Sequence, residues 1–296
     1  MNKGVFYRQR RFKFKIVLSV FVLSLFCSFA YSQKVQTTGF ADVNGAKLYY
    51  ESAGKGKTVV LIHGGLVDSR LWDDQFDEFA KHYRVIRYDL RGFGRSDLPA
   101  GEFSHVDDLY ALLKYLKIEK ASLIGLSLGG SIAADFTLAH PEMVEKLVFT
   151  SSGLRGDKSP RNEQSIAVYK TAETQGRDKA IEMWLEHPFF ASGKTHPDYV
   201  RRVKQMLTDN YKYWGPTPQP IPLIWSKQPT IERLSEIKVP VLIIVGDKDA
   251  PQILSVAETL HSGIKGSEKV VIPGVSHHLP MEKPRQYNKL VLKFLK

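Results

Sequence analysis

The chain has 296 residues, 43% of them hydrophobic, with 42 Lys and Arg against 31 Asp and Glu and a single Cys. That mixture excludes disorder as the general state, and the length is enough to bury a sizeable core. One Cys excludes a disulfide scaffold or a Cys-rich zinc module, and a single long apolar run excludes a polytopic membrane protein.

That run lies at the start. Lys3, Arg8, Arg10, Arg11, Lys13 and Lys15 precede an apolar stretch from Ile16 to Ala30, and Ala30-Tyr31-Ser32 offers small residues where a signal peptidase reads. A basic, then apolar, then small-residue order predicts a secretory signal peptide over 1–32, cleaved near Ser32, and hence a periplasmic or secreted chain. The apolar run is short for a spanning helix, so a membrane is expected to matter only if the segment stays uncleaved. Six of the eleven net positive charges fall in this segment. The basic pI of about 9.5 is therefore no pointer to nucleic acid, and none is expected as a partner.

Beyond it, Phe40 to Val43 and Lys47 to Glu51 flank Asn44-Gly45 and read as a hairpin at a sheet edge. Short β-branched runs then read as buried parallel strands: 58–62, 84–88, 121–124, 146–149, 239–245 and 269–272. Amphipathic stretches between them include Asp107 to Lys117 and Ile253 to Leu260, and Leu290 to Leu295 closes the chain. Strand–helix alternation predicts an α/β fold, a mostly parallel sheet covered by helices on both faces. Residues 153–233 break the alternation with helical patterns at Glu163 to Thr174, Asp178 to Leu185 and Tyr199 to Leu207, then a Pro-rich stretch from Gly215 to Pro222. This block is expected to be a helical cap inserted between late strands, with 33–152 and 234–296 forming the core.

Gly125-Leu126-Ser127-Leu128-Gly129 matches G-x-S-x-G between a strand and the small-residue segment Gly130 to Ala139. Glycines there permit a sharp strand-to-helix turn that raises a Ser hydroxyl above the sheet edge. A Ser hydroxyl is a weak nucleophile and needs a base held by a third group. Gly246-Asp247-Lys248-Asp249 and Gly274-Val275-Ser276-His277-His278 each follow a strand, so acid and base candidates come in the order Ser, Asp, His. Residue type and order leave Asp247 and Asp249, and His277 and His278, as open alternatives. His63-Gly64-Gly65 follows the first parallel strand. The amides of Gly65 and Leu128 are candidates for binding a developing oxyanion, with His63 expected to hold its loop.

These segments together, with Asp89-Leu90-Arg91-Gly92-Phe93-Gly94-Arg95-Ser96, resemble the α/β-hydrolase superfamily. The resemblance covers residues 40–152 and 234–296 and is nearest the branch of small esterases, enol-lactonases and C–C bond hydrolases. It implies Ser127 as nucleophile, His277 as base and Asp249 as its orienter. Spacing after the strand glycine favours Asp249, and the G-x-x-H…E-x-P ending through Glu282 and Pro284 favours His277. Relatives that open epoxides or displace halide carry Asp where Ser127 stands. Proline-releasing peptidases usually show H-G-G-P-G, whereas Leu66-Val67 follow Gly65 here.

The resemblance thus implies a serine hydrolase that cleaves a small carboxylic ester or lactone through an acyl-enzyme, with no metal or organic cofactor. C–C bond hydrolysis of a diketone is the alternative, followed by a peptidase or a non-catalytic ligand sensor. The partner is a small-molecule substrate. Trp184, Phe189 and Trp214 in the cap would suit an apolar substrate pocket.

Overall fold

Each β-branched run becomes a strand of one eight-stranded sheet. The computed structural model describes Met1 and residues 36–158, 163–210 and 223–296. The expected signal peptide, Trp214 and the stretch 215–222 lie outside the described residues.

Strands β1 (Thr37–Val43) and β2 (Ala46–Ala53) form the antiparallel hairpin. Asn44 and Gly45 at its tip both have positive φ, as a two-residue turn matched to strand twist requires. β2 pairs antiparallel with β4 (Arg84–Tyr88). β4, β3 (Thr58–Ile62), β5 (Ala121–Leu126), β6 (Val144–Thr150), β7 (Val241–Gly246) and β8 (Glu268–Ile272) then run parallel. The sheet order β1-β2-β4-β3-β5-β6-β7-β8 reverses direction at β3. The carboxyl ends of β3 and β5 therefore flank the switch point, where a crevice opens in sheets of this kind.

Side chains of the central strands alternate between two apolar layers because a strand repeats every two residues. Val60 and Ile62 of β3 face one layer with α2 (His105–Tyr115), α3 (Leu128–Ala139) and α7 (Pro251–Gly263), which contribute Leu109, Leu112, Phe136 and Leu260. Val59 and Leu61 face the other, with Phe76 and Phe79 of α1 (Asp73–Phe79) and Tyr287 and Val291 of the terminal helix Pro284–Leu295. Helix α1 is too short to print a repeating apolar stripe on the sequence, which is why it is not among the expected elements. The C-terminal helix starts at Pro284, earlier than its apolar pattern, because proline is preorganised for a first helical position.

Between β6 and β7 the described chain is helical: α4 (Glu163–Gln175), α5 (Arg177–Leu185), a 3₁₀ turn at Pro188–Phe190 and α6 (Pro197–Asp209). Ala180, Ile181, Val203, Met206 and Leu207 continue the second apolar layer, so this insertion shares a core with one face of the sheet. The end of α6 is tied down by Asn210, which accepts the Gly94 N–H at 2.5 Å and donates to Asp68 at 3.0 Å.

Candidate active site

Helix α3 starts immediately after β5, and the sharpness of that turn is visible in the backbone. Ser127 sits at φ 52° and ψ −113°, a strained conformation for a residue with a Cβ. Two flanking glycines make it possible by close approach. A Cβ on Gly125 would collide with the Gly129 carbonyl, and one on Gly129 with the Ile62 carbonyl of the neighbouring strand. The Ser127 N–H donates to the Thr150 carbonyl at 3.1 Å, which pins the turn to β6. Leu128, as the first residue of α3, has an amide outside the helical ladder.

The loop after β3 is held by His63. Its Nε2 accepts the Leu90 N–H at 2.9 Å, so its proton is on Nδ1, which donates to the Gly64 carbonyl at 2.7 Å. Burial keeps this ring neutral by lowering its pKa. Asp89 accepts the Ser69 N–H at 2.9 Å and the Arg95 N–H at 2.8 Å, so the Asp89 to Ser96 turn supports the sheet end. Leu66 is held at φ 66°, a left-handed conformation unusual for leucine.

Past β7 and β8 the structure separates the two acids and the two histidines. His277 Nδ1 lies 3.0 and 3.1 Å from the two carboxylate oxygens of Asp249, both residues being buried. Asp249 also accepts the Ala250 N–H at 2.7 Å. Asp247 instead accepts the Gly274 N–H at 2.6 Å and is half exposed, so it braces the loop. His278 packs against Phe190, ring centroids 5.0 Å apart, and burial drives its pKa well down.

A cavity of about 170 Å³ joins these pieces; Gly65, Ser127, Leu128, Trp184, Phe189 and His277 all line it. An apolar cavity of about 150 Å³ holds a benzene ring, so the space suits one small group. Of the three cap aromatics expected at a pocket, Trp184 and Phe189 are on its wall, and Trp214 is outside the described residues. Trp225 packs near Arg155, 5.4 Å from ring to guanidinium.

Sequence reasoning missed a set of cap contacts behind His277. Phe189 lies flat on the His277 ring, with centroids 3.7 Å apart and planes at 8°. Glu282, buried, accepts the Ser276 N–H at 2.8 Å and a short hydrogen bond from Ser192. Burial pushes the Glu282 carboxyl above its ordinary value, against the pull of those donors. Ser192 and Glu282 are ninety residues apart, and no local pattern marks the pair. His187 accepts the Phe189 N–H on Nδ1 at 3.2 Å, and burial followed by the nearby His277 lowers its pKa to about 4. Among the described residues no cluster of His, Cys, Asp and Glu is suited to hold a metal ion.

A family model described as alpha/beta hydrolase fold matches residues 57–284. The chain is 30% identical over 270 residues to the 2-hydroxy-6-oxononadienedioate/2-hydroxy-6-oxononatrienedioate hydrolase of Paraburkholderia phymatum, covering 84% of this chain and 91% of that one. Among solved structures it is similar to the enol-lactonase from Burkholderia xenovorans (TM-score 0.73, 25% identity, 87% and 99% covered). It is likewise similar to a thermophilic esterase from Thermogutta terrifontis (TM-score 0.74, 26% identity, 88% and 98% covered).

Proposed function

The chain belongs to the α/β-hydrolase family and is an esterase-like hydrolase, and on that premise we propose that it cleaves a small carboxylic ester or lactone through an acyl-enzyme intermediate. The observation that carries the reading is that His277, paired with Asp249, lines the same cavity as the strained Ser127. Because Nδ1 of His277 is turned to Asp249, Nε2 is the nitrogen left to act as base. Ser127 Oγ attacks the substrate carbonyl carbon as its proton passes to His277 Nε2. Asp249 holds the imidazolium, and the amides of Gly65 and Leu128 receive the oxyanion. Collapse breaks the bond to the alkoxy oxygen, which takes the proton back from His277. A water deprotonated by the same ring then attacks the acyl-enzyme, releasing the acid and restoring Ser127.

C–C bond hydrolysis of a diketone is the second reading, and the Paraburkholderia relative supports it. That relative is named for dioate substrates, which carry two carboxylates. Among the described residues lining the cavity there is no Lys, Arg, Asp or Glu, which favours an uncharged ester or lactone here. The reading includes export, on the basic-apolar-small order of residues 1–32. N-terminal sequencing of protein recovered outside the cytoplasm should find a start near Gln33.

The test is hydrolysis of p-nitrophenyl acetate through octanoate by wild type and Ser127→Ala. Wild type should prefer the shorter acyl chains, and the variant should lose roughly 10⁶ in kcat. A fluorophosphonate should label wild type at Ser127 and leave the variant unlabelled. Equal turnover by both proteins would remove Ser127 from its role.

A further inference from the structure

The stacked pair of Phe189 and His277 asks for a role beyond lining a pocket. Its geometry is tighter than other ring contacts around it. Centroids are 3.7 Å apart and planes nearly parallel at 8°, whereas Trp184 meets Phe189 edge-on at 5.6 Å and 90°. The backbone repeats the contact: the Phe189 carbonyl accepts the Ser276 hydroxyl at 2.9 Å and the His277 N–H at 3.4 Å. Phe189 is itself fixed, by its N–H on His187 and by Ser192, three residues on, donating to Glu282. The cap turn is thus sewn to the loop that carries His277.

We propose that Phe189 is a positioning residue for His277: its ring fixes the plane of the imidazole and stabilises the imidazolium formed when Ser127 gives up its proton. This rests on the serine hydrolase reading above. Asp249 restrains the imidazole only along one edge, at Nδ1, and a ring held at one edge can still swing about that contact. A flat aromatic face against the imidazole removes the swing, so Nε2 keeps its aim. The same face carries the negative lobe of the aromatic quadrupole, which attracts a cation placed over it. Asp249 therefore meets the developing charge in the ring plane and Phe189 meets it perpendicular to that plane.

Other groups near His277 define how the test is read. Asp249 faces it from the loop after β7, His187 and Tyr199 stand on the cap, and His278 and Glu282 on its own side of the chain. His187 is held at about 4 and His278 well below its ordinary value, both chiefly by burial, while burial holds Tyr199 up at about 12. Near neutral pH these three keep one charge state. Glu282 is the group that shifts upward towards this range, so each Phe189 variant is also made with Glu282→Gln.

The experiment compares wild type with Phe189→Leu, Phe189→Met and Phe189→Tyr. Leu and Met keep an apolar cover of similar size without a π face, and Tyr keeps the face. His277 is titrated by imidazole ¹H–¹⁵N spectra, its signal assigned by its absence in His277→Gln, and kcat and KM for p-nitrophenyl acetate are measured over the same pH range. Leu and Met should lower the His277 pKa, and with it the acidic limb of kcat/KM, by about half a unit to one unit. They should lower kcat about tenfold with KM nearly unchanged, and Tyr should restore both. An unchanged pKa in the Leu and Met variants would overturn the proposal. So would a change in KM alone, which would make Phe189 a substrate contact only. The titration needs no turnover, so it decides on Phe189 even if Ser127→Ala refutes the serine hydrolase reading.

Discussion

The turn that carries Ser127 and the loop that carries His277 reach one cavity by different routes. Ser127 is placed by its immediate neighbours: a strand, two glycines that let backbones touch, and a helix that starts one residue later. His277 is placed mainly by distant ones: Asp249 from the previous strand end and Phe189 and Ser192 from the cap, with Glu282 of its own segment linking Ser192 to the Ser276 amide. A locally built turn is rigid because sterics forbid alternatives. A loop built from tertiary contacts has the orientation its partners impose, and so offers several points at which activity can be tuned without unfolding the sheet.

That contrast can be broken at its strongest point first. Asp249→Asn leaves the loop in place but favours the wrong imidazole tautomer, and kcat on an ester should fall by about 10⁴. Asp247→Asn, two residues away, should leave kcat close to wild type, since Asp247 braces the loop through the Gly274 N–H and pairs with Lys248 at 3.9 Å, away from His277. Equal losses in both would mean that the acid at the loop braces structure rather than orienting His277.

A smaller effect separates the local turn from the tertiary loop. Gly129→Ala drives a Cβ into the Ile62 carbonyl, where neither backbone can yield. It should cost roughly 3 kcal/mol in denaturant unfolding. The Phe189 variants should instead leave the midpoint near wild type while moving kcat. A Gly129→Ala protein as stable as wild type would show that the turn is not sterically locked.

The smallest effect is a pH dependence. Burial pushes the Glu282 carboxyl above its ordinary value of 4.5, so the folded chain binds that proton more tightly than the unfolded chain does. The stability this contributes is present below pH 4.5 and is lost as pH rises through the folded-state value. Glu282→Gln keeps an oxygen for the Ser276 N–H and does not ionise. In thermal melts at matched pH it should gain on wild type as pH rises above 4.5. Parallel curves for the two proteins would mean that Glu282 ionises as freely in the fold as in solution.

Much of the scaffold was readable before any coordinates. The strands at 58–62 and 84–88 match the expected runs residue for residue because β-branched stretches bounded by polar residues have few other ways to be buried. G-x-S-x-G was readable for a similar reason: its glycines answer a contact within the motif or one strand away, so the pattern and its cause lie together. The fold class and family membership follow from such signals. Residue type alone did not separate Asp249 and His277 from Asp247 and His278; the family spacing favoured the first pair, and the contact between Asp249 and His277 is seen only in space. Only packing turns His278 towards Phe190 and Tyr199 and sends Asp247 to the Gly274 amide.

The order of strands and helices along the chain and the sharp turn at Ser127 were determined by the sequence itself, because each depends on steric and hydrophobic constraints acting over a few residues. That a cap phenylalanine lies flat on His277, with Ser192 and Glu282 binding the two segments, was decided by tertiary structure alone. Those contacts join residues tens of positions apart, and a side chain's reach across a cavity leaves no period or spacing in the chain that supplies it.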